Sequence, residues 1–195
     1  MDTTRSFFAI DFSQEIINKL SAVKQNISKN TLQIIRWVNK KNQHLTLKFL
    51  GNLKYTDIPT LQDNLKKEIK NLRRFSISIT NLGAFPNLTH PRVVWIGIEK
   101  SQNLLKLFQV IESATTALGY PKDSHPFSPH ITLGRIKKYS RQCEIKDLIS
   151  YLKGFDARKI GGQEIKEIIL YKSDLKPTGP TYTRIFSLEL EQEST

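Results

Sequence analysis

The chain has 195 residues, 38% of them hydrophobic and 25% charged, which is typical of a globular domain with a sizeable core. Its one cysteine, Cys143, excludes an internal disulfide and is typical of a reducing compartment, and no apolar run approaches the roughly 20 residues of a membrane span. Because the N-terminus also lacks the long apolar region of a secretory leader, we expect a cytoplasmic, single-domain protein over residues 1–195, without a membrane segment.

The first half of the chain alternates between strand and helix patterns. Residues 6–11 predict a buried strand, and apolar residues then recur at helical spacing after Ser13, a favourable N-cap. Residues 42–50 predict a second strand, residues 58–72 a helix with one apolar face, and residues 75–82 a third strand.

The second half of the chain repeats this order after a loop predicted at residues 83–87. The elements predicted there are a strand at residues 92–98, a helix capped by Ser101, a strand opened by Pro129, a helix at residues 145–152, and strands at residues 165–171 and 182–190. No stretch has the composition of a flexible linker between independent domains.

Two nearly identical tetrapeptides stand 86 residues apart, and these are His44-Leu45-Thr46-Leu47 and His130-Ile131-Thr132-Leu133. They contain two of the four histidines, although at average composition a histidine is followed by aliphatic-Thr-aliphatic only on the order of once in 1,000 cases. The same offset relates strand-like apolar stretches elsewhere in the chain. We therefore predict two similar half-repeats, at about residues 5–84 and 91–190, each contributing one His-x-Thr motif.

The alternation of side chains along a β-strand predicts which way the first motif points. Successive side chains point to opposite faces of a sheet, so His44, Thr46 and Lys48 are expected to share one face. The apolar residues between and after them, including Phe49, are expected in the core. The second motif has the same alternation, so two imidazoles and two hydroxyls would converge on one cleft if the halves face each other.

The net charge of +12 is concentrated around the two motifs. Residues 16–56 contain eight basic and no acidic side chains, and residues 124–143 contain four basic and no acidic ones. These twelve account for the whole excess, because the remaining basic and acidic residues balance. A positive field around both motifs would attract a polyanion and stabilise negative charge, so we expect a phosphate-bearing partner.

Paired histidines in basic surroundings predict acid–base chemistry at phosphorus. One imidazole can remove a proton from the attacking oxygen while the other protonates the departing oxygen, and threonine hydroxyls with nearby cations can hold the non-bridging oxygens. A zinc site is a poorer explanation, because the chain has no His-Glu-x-x-His and no cysteine pair. A nucleophilic serine is also a poorer explanation, because there is no Gly-x-Ser-x-Gly motif. A purely structural role is the ordinary explanation for one histidine, but not for a matched pair.

Both motifs, with the residues around them, resemble a known family. His44-Leu45-Thr46-Leu47-Lys48-Phe49-Leu50-Gly51 and Pro129-His130-Ile131-Thr132-Leu133-Gly134-Arg135 are similar to the two signature motifs of the two-histidine phosphoesterases. The group they most resemble is the bacterial and archaeal RNA 2',3'-cyclic phosphodiesterases, also called the 2'-5' RNA ligase family. Further similar segments are Arg36-Trp37-Val38, Gly83-Ala84-Phe85-Pro86-Asn87, Pro91-Arg92-Val93-Val94-Trp95-Ile96-Gly97 and the end from Ser173 to Tyr182, so the resemblance covers nearly the whole chain.

The resemblance implies an α+β fold of two pseudo-symmetric lobes, each with an antiparallel sheet and helices, that face each other across a central cleft. It also implies hydrolysis of an RNA-terminal 2',3'-cyclic phosphate to a 2'-phosphomonoester, with no metal and no cofactor. The implied partners are RNA ends that bear this cyclic phosphate. We expect no obligate protein partner and a monomeric protein.

The same resemblance implies a role for each motif residue. His44 would donate a proton to the leaving 3'-oxygen, and His130 would be the base that activates water. Thr46 and Thr132 would bind the phosphate. Arg135 matches a family arginine and would bind phosphate too, yet strict strand alternation points it away from His130, so a twist or bulge at the strand end would be needed to turn it.

Two alternative functions use the same features. Ligation that forms a 2'-5' RNA linkage would run at the same site in reverse, so the sequence does not separate it from hydrolysis. A non-catalytic module that binds RNA ends would explain the charge but not the paired motifs. The remaining histidines, His90 and His125, match no motif and are expected at the surface.

Overall fold

The protein has the expected α+β fold, in which helices pack their apolar faces against a sheet. The computed structural model describes residues 2–31, 33–155, 160–177 and 179–192. The α-helices of these residues are α1 Gln14–Asn30, α2 Ile58–Ile69, α3 Gln102–Ala117 and α4 Gln142–Gly154. None of them combines the length and the apolar composition that a crossing of a membrane requires.

The strands of the described residues join into one sheet. They are β1 Thr3–Asp11, β2 Ile35–Trp37, β3 His44–Lys54, β4 Phe75–Phe85, β5 Val93–Ile98, β6 His130–Ile136, β7 Gly161–Ile165, β8 Glu167–Lys176 and β9 Gly179–Glu189. Their order across the sheet is β7-β4-β5-β6-β3-β1-β8-β9, with β2 paired to β6, and these strand pairs are antiparallel.

The 86-residue offset of the motifs also relates the structural elements. It carries β1 onto β5, α1 onto α3, β3 onto β6 and α2 onto α4. The offset holds in the register of the strands, because Phe7 pairs with Tyr171 and Val93 pairs with Phe85. Each residue of one pair lies 86 positions from a residue of the other pair, so the two lobes are pseudo-symmetric, as predicted.

The two half-repeats exchange strands. β4 comes from the first half of the chain and pairs with β5, whereas β8 comes from the second half and pairs with β1. Two pairs of equivalent residues are partners of each other, Leu45 with Ile131 between β3 and β6, and Ile77 with Gln163 between β4 and β7. These pairs mark the pseudo-twofold axis and join the two lobes into one sheet. The sequence limits of the half-repeats stay a prediction.

The predicted N-caps of the first and third helices are confirmed. The Ser13 hydroxyl accepts a hydrogen bond from the backbone N–H of Ile16 at 3.4 Å, and the Ser101 hydroxyl accepts one from Leu104 at 3.2 Å. A capping hydroxyl satisfies one of the free N–H groups in the first helical turn and typically contributes about 1 kcal/mol. The helix starts were therefore predictable from local sequence.

The end of β4 differs from the prediction of a loop at residues 83–87, because the strand continues to Phe85. Gly83 explains the difference. A Cβ atom at this position would lie 2.3 Å from the ring of Trp95 on the neighbouring strand, so only glycine allows the two strands to pack this closely. The glycine that suggested a loop in the sequence is instead a close contact within the sheet.

Candidate active site

The two motif strands lie next to each other at the centre of the sheet. In the described residues, β3 and β6 share one pair of partners, Leu45 and Ile131, and both side chains are fully buried. Residues on either side of this pair point to the opposite face. Stepping one residue each way along antiparallel strands places His44 beside Thr132, and Thr46 beside His130.

A cleft of about 980 Å³ opens on this face of the sheet. All five residues predicted for the site line it, and these are His44, Thr46, His130, Thr132 and Arg135. Further lining side chains, outside these five, are Lys24, Arg36, Lys40, Lys41, Phe49 and Tyr182. The structure thus brings both halves of the predicted site into one cavity, whereas His90 and His125 are exposed elsewhere.

A β-bulge in β3 overturns the predicted orientation of Lys48 and Phe49. Thr46 pairs with Ala9 and Lys48 with Phe8, so Leu47 is an extra residue in β3 and the alternation shifts by one. Lys48 turns into the interior and is 1% exposed, whereas Phe49 turns towards the cleft and is 62% exposed. The sequence prediction was wrong here because it assumed unbroken alternation.

The equivalent bulge in β6 turns Arg135 into the cleft. Thr132 pairs with Trp95 and Gly134 with Val94, so Leu133 is the extra residue. Strict alternation would point Arg135 away from His130, but the bulge brings Arg135 to the same face as the motif side chains. Arg135 and Phe49 are 86 residues apart, so each lobe sends one bulge-directed side chain into the cleft.

Two arginines stand directly opposite each other at one wall of the cleft. Arg36 of β2 pairs with Arg135 of β6, and both line the cavity. Gly134 makes this pairing possible, because a Cβ atom there would lie 2.9 Å from the backbone oxygen of Arg36. Neither arginine forms an ion pair within the described residues. Like charges directly opposite each other destabilise a sheet, so this wall is suited to an anionic ligand.

Hydrogen bonds orient the two imidazoles. The Nδ1 atom of His130 lies 2.7 Å from the carbonyl oxygen of Ser128. A carbonyl can only accept a hydrogen bond, so Nδ1 carries the hydrogen and the lone pair of the neutral ring is on Nε2. Asn42 is equivalent to Ser128 by the offset, and its backbone raises the pKa of His44. The Nε2 atom of His44 lies 3.0 Å from the hydroxyl oxygen of Thr46.

Aromatic rings hold each imidazole in place. Phe7 stacks on His44 with ring centroids 4.9 Å apart, and the edge of Tyr182 contacts the same imidazole at 5.3 Å. The ring of Phe85 packs edge-on to His130 at 4.8 Å. Such packing fixes the ring orientation and restricts water around the imidazoles, which favours a defined geometry for proton transfer.

Burial lowers the pKa of both histidines. It lowers the pKa of His44 to about 4; the Asp11 charge and the hydrogen bond to Asn42 oppose this shift, while His130 adds to it. Burial also lowers the pKa of His130, against the hydrogen bond to Ser128. Both rings are therefore neutral at pH 7 in the unliganded protein. Since these values lie below those of the unfolded chain, the free energy of unfolding decreases as the pH falls from about 6.5 towards 4.

Some cleft residues that were not predicted for the site nevertheless have a signal in the sequence. Phe49 could have been found by subtracting the 86-residue offset from Arg135. Arg36 and Tyr182 lie in segments that resemble the family but were given no role, and they reach the cleft through β2 and β9. Lys24 lies in no such segment and reaches the cleft from α1. Within the described ranges, no three His, Cys, Asp or Glu side chains are grouped as ligands for a metal ion.

Comparison with known proteins agrees with this geometry. The family model of the 2'-5' RNA ligase superfamily matches residues 13–175. The RNA 2',3'-cyclic phosphodiesterase of Methanocaldococcus jannaschii is 34% identical over 178 residues, covering 91% of this chain and 96% of the relative. The enzyme of the same name from Thermotoga maritima is 30% identical over 189 residues, covering 96% of each chain.

The fold is also shared with a solved structure. The crystal structure of the Thermus thermophilus protein TT0787 superimposes with a TM-score of 0.81 at 24% identity, covering 97% of this chain and all of that one. The residues matched by the family model include both His-x-Thr motifs, and the relatives match over nearly their full length. The chain therefore belongs to the 2'-5' RNA ligase superfamily of two-histidine phosphoesterases.

Proposed function

We propose that the protein hydrolyses 2',3'-cyclic phosphate at RNA ends to a 2'-phosphomonoester. The observation that carries this proposal is the convergence of two imidazole–threonine pairs, from adjacent strands, on one basic cleft. The names of the M. jannaschii and T. maritima relatives support the same activity. A cytoplasmic location is part of the proposal and agrees with the free, exposed thiol of Cys143.

The geometry supports a mechanism with one base and one acid. The Nε2 lone pair of His130 takes a proton from water as the water oxygen attacks phosphorus. The bond between phosphorus and the 3'-oxygen then breaks, and protonated His44 gives its proton to the departing oxygen. The new oxygen stays on the phosphate, the 3'-hydroxyl is restored, and the two histidines have exchanged protonation states.

The threonines and arginines have a different task, which is to stabilise charge. The hydroxyl groups of Thr46 and Thr132 would donate hydrogen bonds to the non-bridging oxygens of the phosphate. Arg135, with Arg36 opposite it, would supply positive charge to the same anion. A bound phosphate next to His44 also raises the pKa of this histidine, since an opposite charge favours the protonated imidazole. The substrate thereby promotes protonation of its own acid.

The proposed substrate is RNA. We also propose that the protein acts as a monomer, without an obligate protein partner. Lys40 and Lys41 lie at the cleft and belong to the acid-free stretch of residues 16–56. Contacts between such lysines and phosphates displace counterions, so binding of RNA is expected to weaken as salt is added.

The activity is tested by incubating the protein with RNA that ends in 2',3'-cyclic phosphate, in the presence of EDTA, and identifying the phosphate isomer of the product. A 2'-phosphomonoester is expected, at the same rate with and without EDTA. A 3'-phosphomonoester would contradict the assigned leaving group. Addition of an RNA with a 5'-hydroxyl end tests ligation, which would give a longer product with a 2'-5' linkage.

The pH dependence of kcat/KM is expected to be bell-shaped with its maximum on the acidic side of neutrality. This parameter reports the free protein, in which one histidine must be protonated and the other neutral. Burial lowers the pKa of both histidines, to about 4 for His44, so the singly protonated protein is most abundant on the acidic side of neutrality. The reactive fraction, with the proton on His44 and a neutral His130, follows the same bell-shaped pH dependence. A maximum of kcat/KM above pH 7, with the fold intact by circular dichroism, would contradict the assignment.

Replacing Thr46 or Thr132 by alanine is expected to lower kcat by about 10²-fold, as the loss of one donor to a developing oxyanion does in other enzymes. The serine variant at each position is the matched control, because it keeps the hydroxyl group and removes only a methyl group. Steady-state rates should therefore be largely retained in Thr46→Ser and Thr132→Ser. Serine variants as slow as the alanine variants would show that the hydroxyl groups do not carry the effect.

A further inference from the structure

A second depression, of about 450 Å³, adjoins the cleft on the surface between α1 and β2. Lys24, Trp37 and Lys40 line both the cleft and this depression, which we call the α1 groove. The remaining lining residues of the α1 groove are Ser21, Gln25, Ser28, Lys29 and Gln33. Because three side chains are shared, the α1 groove is a continuation of the cleft.

One face of α1 forms the floor of the groove. Ser21, Gln25, Ser28 and Lys29 recur at the spacing of a single helix face, and from the first to the last the helix rises about 12 Å. Gln25, Ser28 and Lys29 are polar groups that can contact phosphate or ribose oxygens, whereas Ser21 is buried and donates its hydroxyl hydrogen to the backbone oxygen of Ile17. The groove therefore offers an extended polar surface rather than a pocket for one small molecule.

The charge of the groove is positive throughout. Its lining residues include three lysines and no acidic residue, as expected from the acid-free stretch of residues 16–56. Lys24 is only 8% exposed, and its ammonium group donates a hydrogen bond to the backbone oxygen of Val38 at 3.0 Å. Next to the groove, Lys137 donates a hydrogen bond to the backbone oxygen of Gln33 at 2.6 Å, which adds a further cation.

An aromatic ring stands at the junction of the cleft and the groove. The indole N–H of Trp37 donates a hydrogen bond to the hydroxyl of Ser28 at 2.9 Å, which fixes the ring against α1. The ring is half-buried and lines both depressions. A fixed aromatic ring beside lysines is the usual arrangement for holding single-stranded nucleic acid without sequence preference.

We propose that the α1 groove binds the nucleotides that precede the terminal cyclic nucleotide, with their phosphates on the lysines and a base against Trp37. The proposal rests on the proposed function, since the cleft must hold the RNA end for the groove to hold the adjoining strand. It assigns a polymer rather than a mononucleotide as the preferred substrate.

The test compares two substrates in one charge-changed variant. Gln25→Glu/Lys29→Glu alters the groove outside the cleft, so kcat/KM for a nucleoside 2',3'-cyclic phosphate should stay unchanged. For a single-stranded oligoribonucleotide with the same end, kcat/KM should fall on the order of tenfold at low salt. The salt dependence of binding should also become shallower, with a log–log slope reduced by about one.

The chain supplies a matched control on another helix. Gln62→Glu/Lys66→Glu makes the same two substitutions at the same spacing on α2, away from the cleft and the groove. This variant should have the same kcat/KM as the wild type for both substrates. Equal losses for both substrates in the groove variant, or no preference of the wild type for the oligonucleotide, would overturn the proposal.

Binding of the same labelled oligonucleotide, measured by fluorescence anisotropy, separates this proposal from the proposed function. Suppose that the wild type hydrolysed neither substrate, while Gln25→Glu/Lys29→Glu bound RNA less tightly than the wild type. The proposed activity would then be wrong and the proposal for the α1 groove would stand. If both substrates were hydrolysed and the affinity for RNA did not change in the groove variant, the α1 groove would be wrong and the activity would stand.

Discussion

Replacing His44 or His130 by alanine is expected to lower the rate of cyclic phosphate hydrolysis by about 10³-fold or more. General acid–base catalysis contributes roughly 10²–10⁴-fold per group, and here each imidazole serves the same displacement. The double variant should be only slightly slower than either single variant, because two groups that act as a unit lose their joint effect when one is removed. Single-turnover rates of the wild type, both single variants and the double variant with a cyclic phosphate substrate measure these losses.

The chain provides the control for this prediction in its two other histidines. His90→Ala and His125→Ala remove exposed imidazoles outside the cleft, so both should keep the wild-type rate. Full activity in His130→Ala would refute the paired mechanism. If the fold-loss of rate in the double variant equalled the product of the two single losses, the two histidines would act in separate steps.

Replacing Lys48 by methionine is expected to lower the free energy of unfolding by about 3–5 kcal/mol. The Lys48 ammonium is fully buried and lies 2.6 Å from the Glu112 carboxylate and 2.9 Å from the backbone oxygen of Pro121. Methionine is unbranched and of similar volume, but it leaves the Glu112 charge, on a side chain only 13% exposed, without its cation. Urea denaturation of the wild type and the variant measures the difference.

The double variant Lys48→Met/Glu112→Leu should recover a large part of this loss, since an apolar pair of similar volume avoids the unpaired buried charge. Lys54→Met is the matched control, because Lys54 is exposed on the same strand and its removal should change stability by less than about 0.5 kcal/mol. A loss for Lys48→Met as small as that for Lys54→Met would show that the buried pair does not stabilise the fold. At temperatures where Lys48→Met stays folded, it should keep its activity.

Local sequence determined the chemistry and much of the secondary structure of this protein. The capping hydroxyls of Ser13 and Ser101 and the apolar periods that follow them specify helices through contacts within a few residues. Alternation from His44 to Thr46 correctly placed imidazole and hydroxyl on the face opposite the buried Leu45. The 86-residue repeat related the two halves, and the register of the sheet keeps the same offset.

Tertiary structure alone decided how the two halves share one sheet and which other side chains enter the cleft. The bulges at Leu47 and Leu133 depend on how β1 and β5 pair with the motif strands, and no pattern within the motif strands reports a partner strand. They bury Lys48 and turn Phe49 and Arg135 outwards. Three-residue β2 is too short for a periodic signal and becomes a strand by pairing with β6. Alternation describes an unbroken strand, whereas a bulge and a pairing partner are set by residues far away in the chain.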